Sequence, residues 1–286
     1  MKFYISTAYL PVEEIIPIAQ AADALGYHGM AIPDHLINLA EISTPYPYTS
    51  DGQRRWPPHT PWPDPWVLAG ALATVTQNLR FVTTVYVAPL RDPFTVAKVV
   101  GTAALISGGR VELGLGVGWC KDEFDVFGAQ FTGRGRRTDE MITVLRRLWQ
   151  PGWTEFEGTY YQFPRLEMSP TPPPIPILVG GLSDAALARA ARNDGWIGDL
   201  MTTAEAIDTA TRLHRLRHEQ GRDTTDFTVI APLTDAFTPD QFQRAADAGV
   251  THTLTMPWMY YSGPDAGIAE KIAGLEKFHG QFLPAA

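Results

Sequence analysis

Asp34 and His35 stand side by side in "AIPDHL" (31–36), where an apolar run ends and a long loop begins. An imidazole exchanges protons near neutral pH, which suits His35 to act as a general acid or base. A histidine in a loop equally serves as a packed structural residue. A second pattern is glycine at 114, 116 and 118 within "GRVELGLGVGWCKDEFDVFG" (109–128). Residues two apart share a strand face. These glycines would leave one face bare above Glu112, with Val111, Leu113, Leu115 and Val117 on the other. A bare face permits tight strand packing or a bulge, or it admits a flat ring system; the residue types leave all of these open. The G-x-G-x-G spacing is not the dinucleotide fingerprint, and no ribose-binding acid is evident. A third pattern is Gly180-Gly181 ahead of Ser183, a helix N-cap residue type. Exposed N–H groups at a helix start attract an anion, and a tight strand-to-helix turn uses the same residues.

Other chemistry-bearing residues carry less. His214 and His218 are four apart in "RLHRLRHEQ", among arginines, and read as a solvated helix face rather than a metal pair. No His-x-His ends the first strand, so no metal site is expected. Cys120 has no evident base beside it. Arg134, Arg136 and Arg137 read as helix surface or loop-closing ion pairs.

The elements that must position these residues alternate strand with helix. Strands are predicted at 2–8, 28–32, 80–87, 110–118, 176–181, 195–200, 226–232 and 251–257. Helices are predicted at about 12–25, 65–76, 92–107, 136–149, 183–192, 203–220, 238–248 and 265–280. Eight strand–helix units in a chain of 286 residues predict a (β/α)₈ TIM barrel, an α/β fold. No repeat or linker divides the chain, so residues 1–286 read as one domain. Two connections exceed the usual length: 36–64 after the second strand, and 150–175 before the fifth. "TEFEGTYYQF" in the latter reads as a small hairpin around Gly158. Tyr46, Tyr48, Trp56, His59 and Trp62 make 36–64 an apolar lid or a proline-stiffened packed loop. Active sites of this fold lie at the C-terminal mouth, which is where His35 and the upper glycines fall.

Composition narrows the function classes. The net charge is −8, from 23 basic and 31 acidic residues, so nucleic acid is a poor partner. One cysteine allows no intramolecular disulfide. "MKFYISTAYLPVEE" does not have the pattern of a signal peptide, and no apolar run reaches about 18 residues. The expected setting is the cytoplasm, with no membrane contact and a small molecule as substrate.

The block "LRDPFTVAKVVGTAALISGGRVELGLGVGWCKDEFDVFG", then "RGRRTDEMITVLRRLW" and "PILVGG", resembles the luciferase-like flavin and deazaflavin oxidoreductases. "AIPDHL" and "YPY" resemble the branch using coenzyme F420, an 8-hydroxy-5-deazaflavin. The likeness covers residues 1–200 and is most specific over 89–128. It implies a ring bound in the barrel mouth. A non-prolyl cis peptide at Thr84-Val85 would lie behind the ring. Backbone at Gly116, Val117, Gly118 and Trp119 would run along it, and Gly180 and Gly181 would cradle the phosphate. Asp34 would contact the cofactor, His35 would move the proton, and Tyr46, Tyr48, Trp56 and Trp62 would cover the substrate. Trp119 stands where sugar-phosphate dehydrogenases of this branch carry a catalytic Glu. "GDLMTT" (198–203) lacks their phosphate-binding basic residue, so a small apolar substrate is expected. The implied reaction is hydride transfer at C5 of the deazaflavin. The alternatives are an FMN-dependent monooxygenase on the same scaffold and a catalytically silent cofactor-binding protein. The resemblance also implies a homodimer.

Overall fold

A computed structural model describes residues 1–283. The strands are β1 (Lys2–Ser6), β2 (Gly29–Ile32), β3 (Arg80–Thr83), β4 (Tyr86–Val87), β5 (Val111–Gly116), β6 (Thr154–Glu157), β7 (Gln162–Leu166), β8 (Ile177–Gly180), β9 (Gly195–Ile197), β10 (Thr228–Ile230) and β11 (His252–Thr255). The α-helices are α1 (Val12–Ala24), α2 (Pro65–Val75), α3 (Pro93–Ile106), α4 (Lys121–Val126), α5 (Arg134–Leu148), α6 (Asp184–Ala191), α7 (Thr203–Glu219), α8 (Pro239–Asp247) and α9 (Ile268–Phe282).

Nine strands pair in parallel, in the order β3-β2-β1-β11-β10-β9-β8-β5-β4, and β3 also pairs with β5. That last pairing closes the sheet. Because β3 and β4 are two halves of one stave, the result is the expected eight-stave barrel. The predicted strand 80–87 is thus broken in the middle. Thr84 and Val85 leave the ladder, and the peptide between them is cis. The predicted hairpin forms as the antiparallel pair β6–β7. Helix α4 was not predicted; its six residues are too few to show a helical period.

The barrel is a packed core rather than a pore. Tyr4, Ala31, Val82, Leu178, Ile197 and Ile230 fill it from six strands, with Val85 and Leu254 packed against them. A larger apolar layer lies between the staves and the helices. Asp64 and Asp92 fix the starts of α2 and α3, each accepting two backbone N–H bonds ahead of a proline.

At the N-terminal end, Glu112 accepts from Tyr4 Oη and from Arg80 Nε, both at 2.5 Å. His28 and His252 lie beside Tyr4 with their rings 4.7 Å apart. Burial, with the nearby cations Lys2 and Arg80, pushes His28 down to about 3. Burial and His28 push His252 down to about 2. This end of such barrels serves stability. His214, expected on a solvated face, packs instead under Gly249, where an added Cβ would meet its ring at 2.1 Å.

Candidate active site

The sequence-selected residues fall along one rim. Asp34 and His35 follow β2, Thr84 and Val85 join β3 to β4, Gly116–Trp119 end β5, and Gly180–Gly181 end β8. These staves are consecutive neighbours in the barrel, so residues far apart in sequence share one arc of the C-terminal mouth.

The glycine strip behaves differently from a bare face. An added Cβ at Gly114 would lie 1.9 Å from the Thr83 carbonyl oxygen, and one at Gly116 would lie 2.4 Å from Val85 Cγ2. One at Gly180 would lie 2.7 Å from Val85 Cγ1. Val85 therefore seats its two methyls against Gly116 and Gly180, and the protein itself fills that space. The alternation argument also stops short of Gly118, which lies beyond β5 with φ +75°. Its carbonyl accepts from Arg134 Nε at 2.8 Å, which pins the turn leading to Trp119.

Asp34 is buried, and its carboxylate is committed within the protein. It accepts from Arg91 Nη1 at 2.6 Å, Arg91 Nη2 at 2.8 Å and the Val87 N–H at 2.9 Å. These bonds tie β2 to the β4 rim. Gly181 has φ +118° and leads into Ser183, whose Oγ accepts from the Ala186 N–H at 3.3 Å. Asp184 opens that same helix and pairs with Arg212 at 2.8 Å, so the first turn of α6 carries an acid where an anion was expected.

The 36–64 segment lies over the mouth. His35 packs against Trp56 and Trp62, with ring centroids 4.9 and 5.3 Å apart, and against Trp119 at 6.4 Å. Tyr46 packs on Trp56 and Trp119 at 5.2 and 5.1 Å, and Tyr48 packs on Tyr46 at 5.3 Å. His59 is exposed. The segment is tied down at two places. Asp122 accepts from the backbone N–H and the hydroxyl of both Ser43 and Thr44, at 2.5–3.1 Å. Those bonds, first from the Thr44 and Ser43 hydroxyls, hold its carboxyl well below the usual range. Opposite, Arg55 Nη1 donates to Asp199 at 2.8 Å, and Arg55 Nη2 donates to the Tyr48 carbonyl at 2.6 Å.

Beneath the segment is a narrow cleft of about 10 Å³, room for about one water, lined by His35, Ile37, Leu39, Trp56, Trp119 and Glu123, among others. Glu123 was missed in the sequence. It is buried, and its Oε1 lies 3.4 Å from His35 Nδ1. The two are 88 positions apart, and only the fold joins them. The one sequence signal was an acidic pair directly after the glycine strand. Burial pushes the thiol of Cys120, on the same cleft, up from its ordinary value, which makes it unreactive. The indole N–H of Trp62 is buried and has no hydrogen-bond partner among the described residues. An unpaired buried donor is costly, and this one stands beside His35.

The luciferase-like monooxygenase pattern matches residues 4–278. The chain belongs to that family. A protein of Mycobacterium tuberculosis is 40% identical over 283 residues, covering 97% of each chain. Among solved structures, the coenzyme F420-dependent tetrahydromethanopterin reductase of Methanopyrus kandleri superposes with a TM-score of 0.76. It covers 99% of this chain and 98% of its own at 16% identity. Monooxygenase RslO1 of Streptomyces bottropensis superposes at 0.75, covering 99% of each chain at 21% identity. Family membership supports an enzyme of the oxidoreductase and monooxygenase superfamily. Among the described residues, no helix is long and apolar enough to cross a membrane.

Proposed function

We propose that the chain is a deazaflavin-dependent oxidoreductase that moves hydride between C5 of coenzyme F420 and a carbon of a small, apolar organic molecule. The observation carrying this reading is His35: a polar, titratable ring set at the mouth among Trp56, Trp62 and Trp119. An apolar, aromatic wall with a few placed polar groups is what small-molecule sites look like. The residues fit a planar cofactor in kind. The unpaired Trp62 N–H offers a donor to a ring or substrate oxygen. A ring beside the Gly116–Trp119 backbone would lie beyond the side chains of Val85 and Phe124, which pack against Gly116 and Gly118. Gly180, Gly181 and the start of α6 offer amides to a phosphate, with Asp184 drawn aside by Arg212. At about 10 Å³ the cleft is far below the roughly 300–1,000 Å³ of ordinary ligand sites. Binding therefore needs the 36–64 segment to withdraw from the mouth.

The cofactor, when bound, supplies the hydride-exchanging carbon. His35 takes the proton left by substrate oxidation, or returns it in the reverse direction. Trp56, Trp62, Tyr46 and Tyr48 exclude water and enclose the substrate. Thr84 and Val85 back the ring. Asp34 acts at one remove, holding the Val87–Arg91 rim in place. We further propose that residues 1–286 work as one domain in the cytoplasm, as a homodimer. The outward face of α2 supports the dimer, with Val67 and Val75 exposed there beside Ala71 and Thr74.

The test is anaerobic turnover of F420 against a panel of alcohols, ketones and activated alkenes, followed by cofactor absorbance. His35→Ala should lower turnover about 10²–10⁴-fold, the usual contribution of a positioned acid or base, with cofactor affinity little changed. Near-parental turnover in that variant would remove His35 from the chemistry. The second reading, an FMN-dependent monooxygenase, draws on the equal likeness to RslO1. Oxygen uptake with reduced FMN, and no F420 turnover, would favour it.

A further inference from the structure

His35 and Glu123 form a pair whose geometry does more than place two polar groups in one cleft. Glu123 lies on α4, just past the turn pinned by Arg134, and its side chain is 6% exposed. Among the described residues its carboxylate has one hydrogen-bond partner, His35 Nδ1 at 3.4 Å. A buried carboxylate needs a donor. Arg54 lines the same cleft, but its guanidinium donates to the Leu39 carbonyl at 3.3 Å. The neighbouring acid, Asp122, is turned outward and saturated by Ser43 and Thr44. Among the described residues, His35 is the group within hydrogen-bond distance of the Glu123 carboxylate. An ionised carboxylate only accepts, so Nδ1 must carry a proton, whether the imidazole is neutral or charged.

We propose that Glu123 is the positioning residue of the site. It fixes His35 in the Nδ1–H tautomer and thereby makes Nε2 the nitrogen that exchanges the substrate proton. This rests on the reading of His35 given above and deepens it. In the neutral form Nε2 presents a lone pair, as a base must to accept the O–H proton of a carbinol. In the charged form Nε2–H is the acid that returns it. With an alcohol as substrate, Nε2 would take the hydroxyl proton in one direction and return it to the carbonyl oxygen in the other. Trp56 and Trp62 against the imidazole leave the ring little freedom to turn away from Glu123. The 3.4 Å separation is long for a hydrogen bond, as such pairs commonly are before substrate closes the site.

The tautomer can be read without cofactor or substrate. Protein labelled with ¹⁵N-histidine gives distinct ring-nitrogen shifts for the two neutral forms, and His35→Gln identifies the signals of position 35. The parent should show a protonated Nδ1 and an unprotonated Nε2 at alkaline pH. Glu123→Leu should lose that signature, giving Nε2–H or a mixture, while the other histidine signals stay in place. Glu123→Gln keeps a carbonyl acceptor of the same length and should retain much of it. In turnover of alcohols, Glu123→Leu should lower kcat at least about 10²-fold with KM little changed, and Glu123→Gln should recover part of that. A parent in the Nε2–H form, or a Glu123→Leu protein with the parental signature, would overturn the proposal. Because the tautomer is measured on the free protein, failure of cofactor binding would sink the functional reading and leave this result standing.

Discussion

Val85 and Gly116 provide a quantitative test of how the glycine strip is used. Gly116→Ala puts a methyl 2.4 Å from Val85 Cγ2, and Val85 cannot simply swing aside because Gly180 already receives its Cγ1 closely. Overpacking of this kind costs about 1–3 kcal/mol, reduced by the few tenths gained from stiffening the unfolded chain. Val85→Ala alone removes two methyls from a half-buried site, costing about 1 kcal/mol. In the double variant, the nearest remaining Val85 atom is Cβ at 3.4 Å, which is ordinary contact. Gly116→Ala should then be nearly free. The double variant should match Val85→Ala within about 0.5 kcal/mol, with a coupling of about 1–2 kcal/mol. Urea unfolding midpoints at constant m-value measure all four corners of the cycle. Additive costs would show that Val85 does not occupy the space beside Gly116, and the face would again be open to a ring.

Asp34→Ala should destabilise the fold by about 3–5 kcal/mol, because it leaves Arg91 charged and 11% exposed without its partner; thermal and urea unfolding check it. Asp122→Ala should free the 36–64 segment, seen as faster limited proteolysis within 40–60 and altered tryptophan emission, with the barrel's unfolding midpoint little changed. The depressed Asp122 carboxyl contributes fully above the unfolded value near 4, and that contribution is lost only as pH falls from there through its depressed folded value, so this latch should hold unchanged from pH 5 to 9. His28 and His252 have the opposite charge logic. Their folded values lie below the unfolded value near 6.5, so the stability they contribute is present above pH 6.5 and is lost as pH falls toward 3. Urea stability should decline from pH 6.5 to 4 by up to about 1.4 kcal/mol per pH unit for each histidine, and His28→Gln should shallow that slope.

The barrel was legible because strand and helix periods alternate eight times. Short β-branched runs such as "RFVTTVYV" and caps such as Asp92-Pro93 mark element ends locally. Reading 80–87 as one strand failed because nothing in residue type marks where Thr84 and Val85 leave the ladder. The rim was legible for the same reason as the fold: residues just after strands two to five must meet at the mouth. The role of the glycines was not. Alternation gives the face they share, but only the fold shows that Val85, from a neighbouring stave, fills it. The partner of Asp34 was not legible either, because Arg91 lies 57 positions away. Glu123 was silent because α4 is a short helix and its meaning depends on His35.

A deazaflavin site at the mouth is open to test by equilibrium binding. Trp56 and Trp119 line the cleft, so their emission should be quenched when a ring enters. Titration of the protein with F420 and, separately, with FMN should give saturable quenching by F420 at a concentration at least about tenfold lower. That preference should be largely lost in Trp119→Ala and little altered in His35→Ala. Tighter binding of FMN would move the chain to the monooxygenase reading, and quenching by neither would contradict a flavin-type site at this mouth.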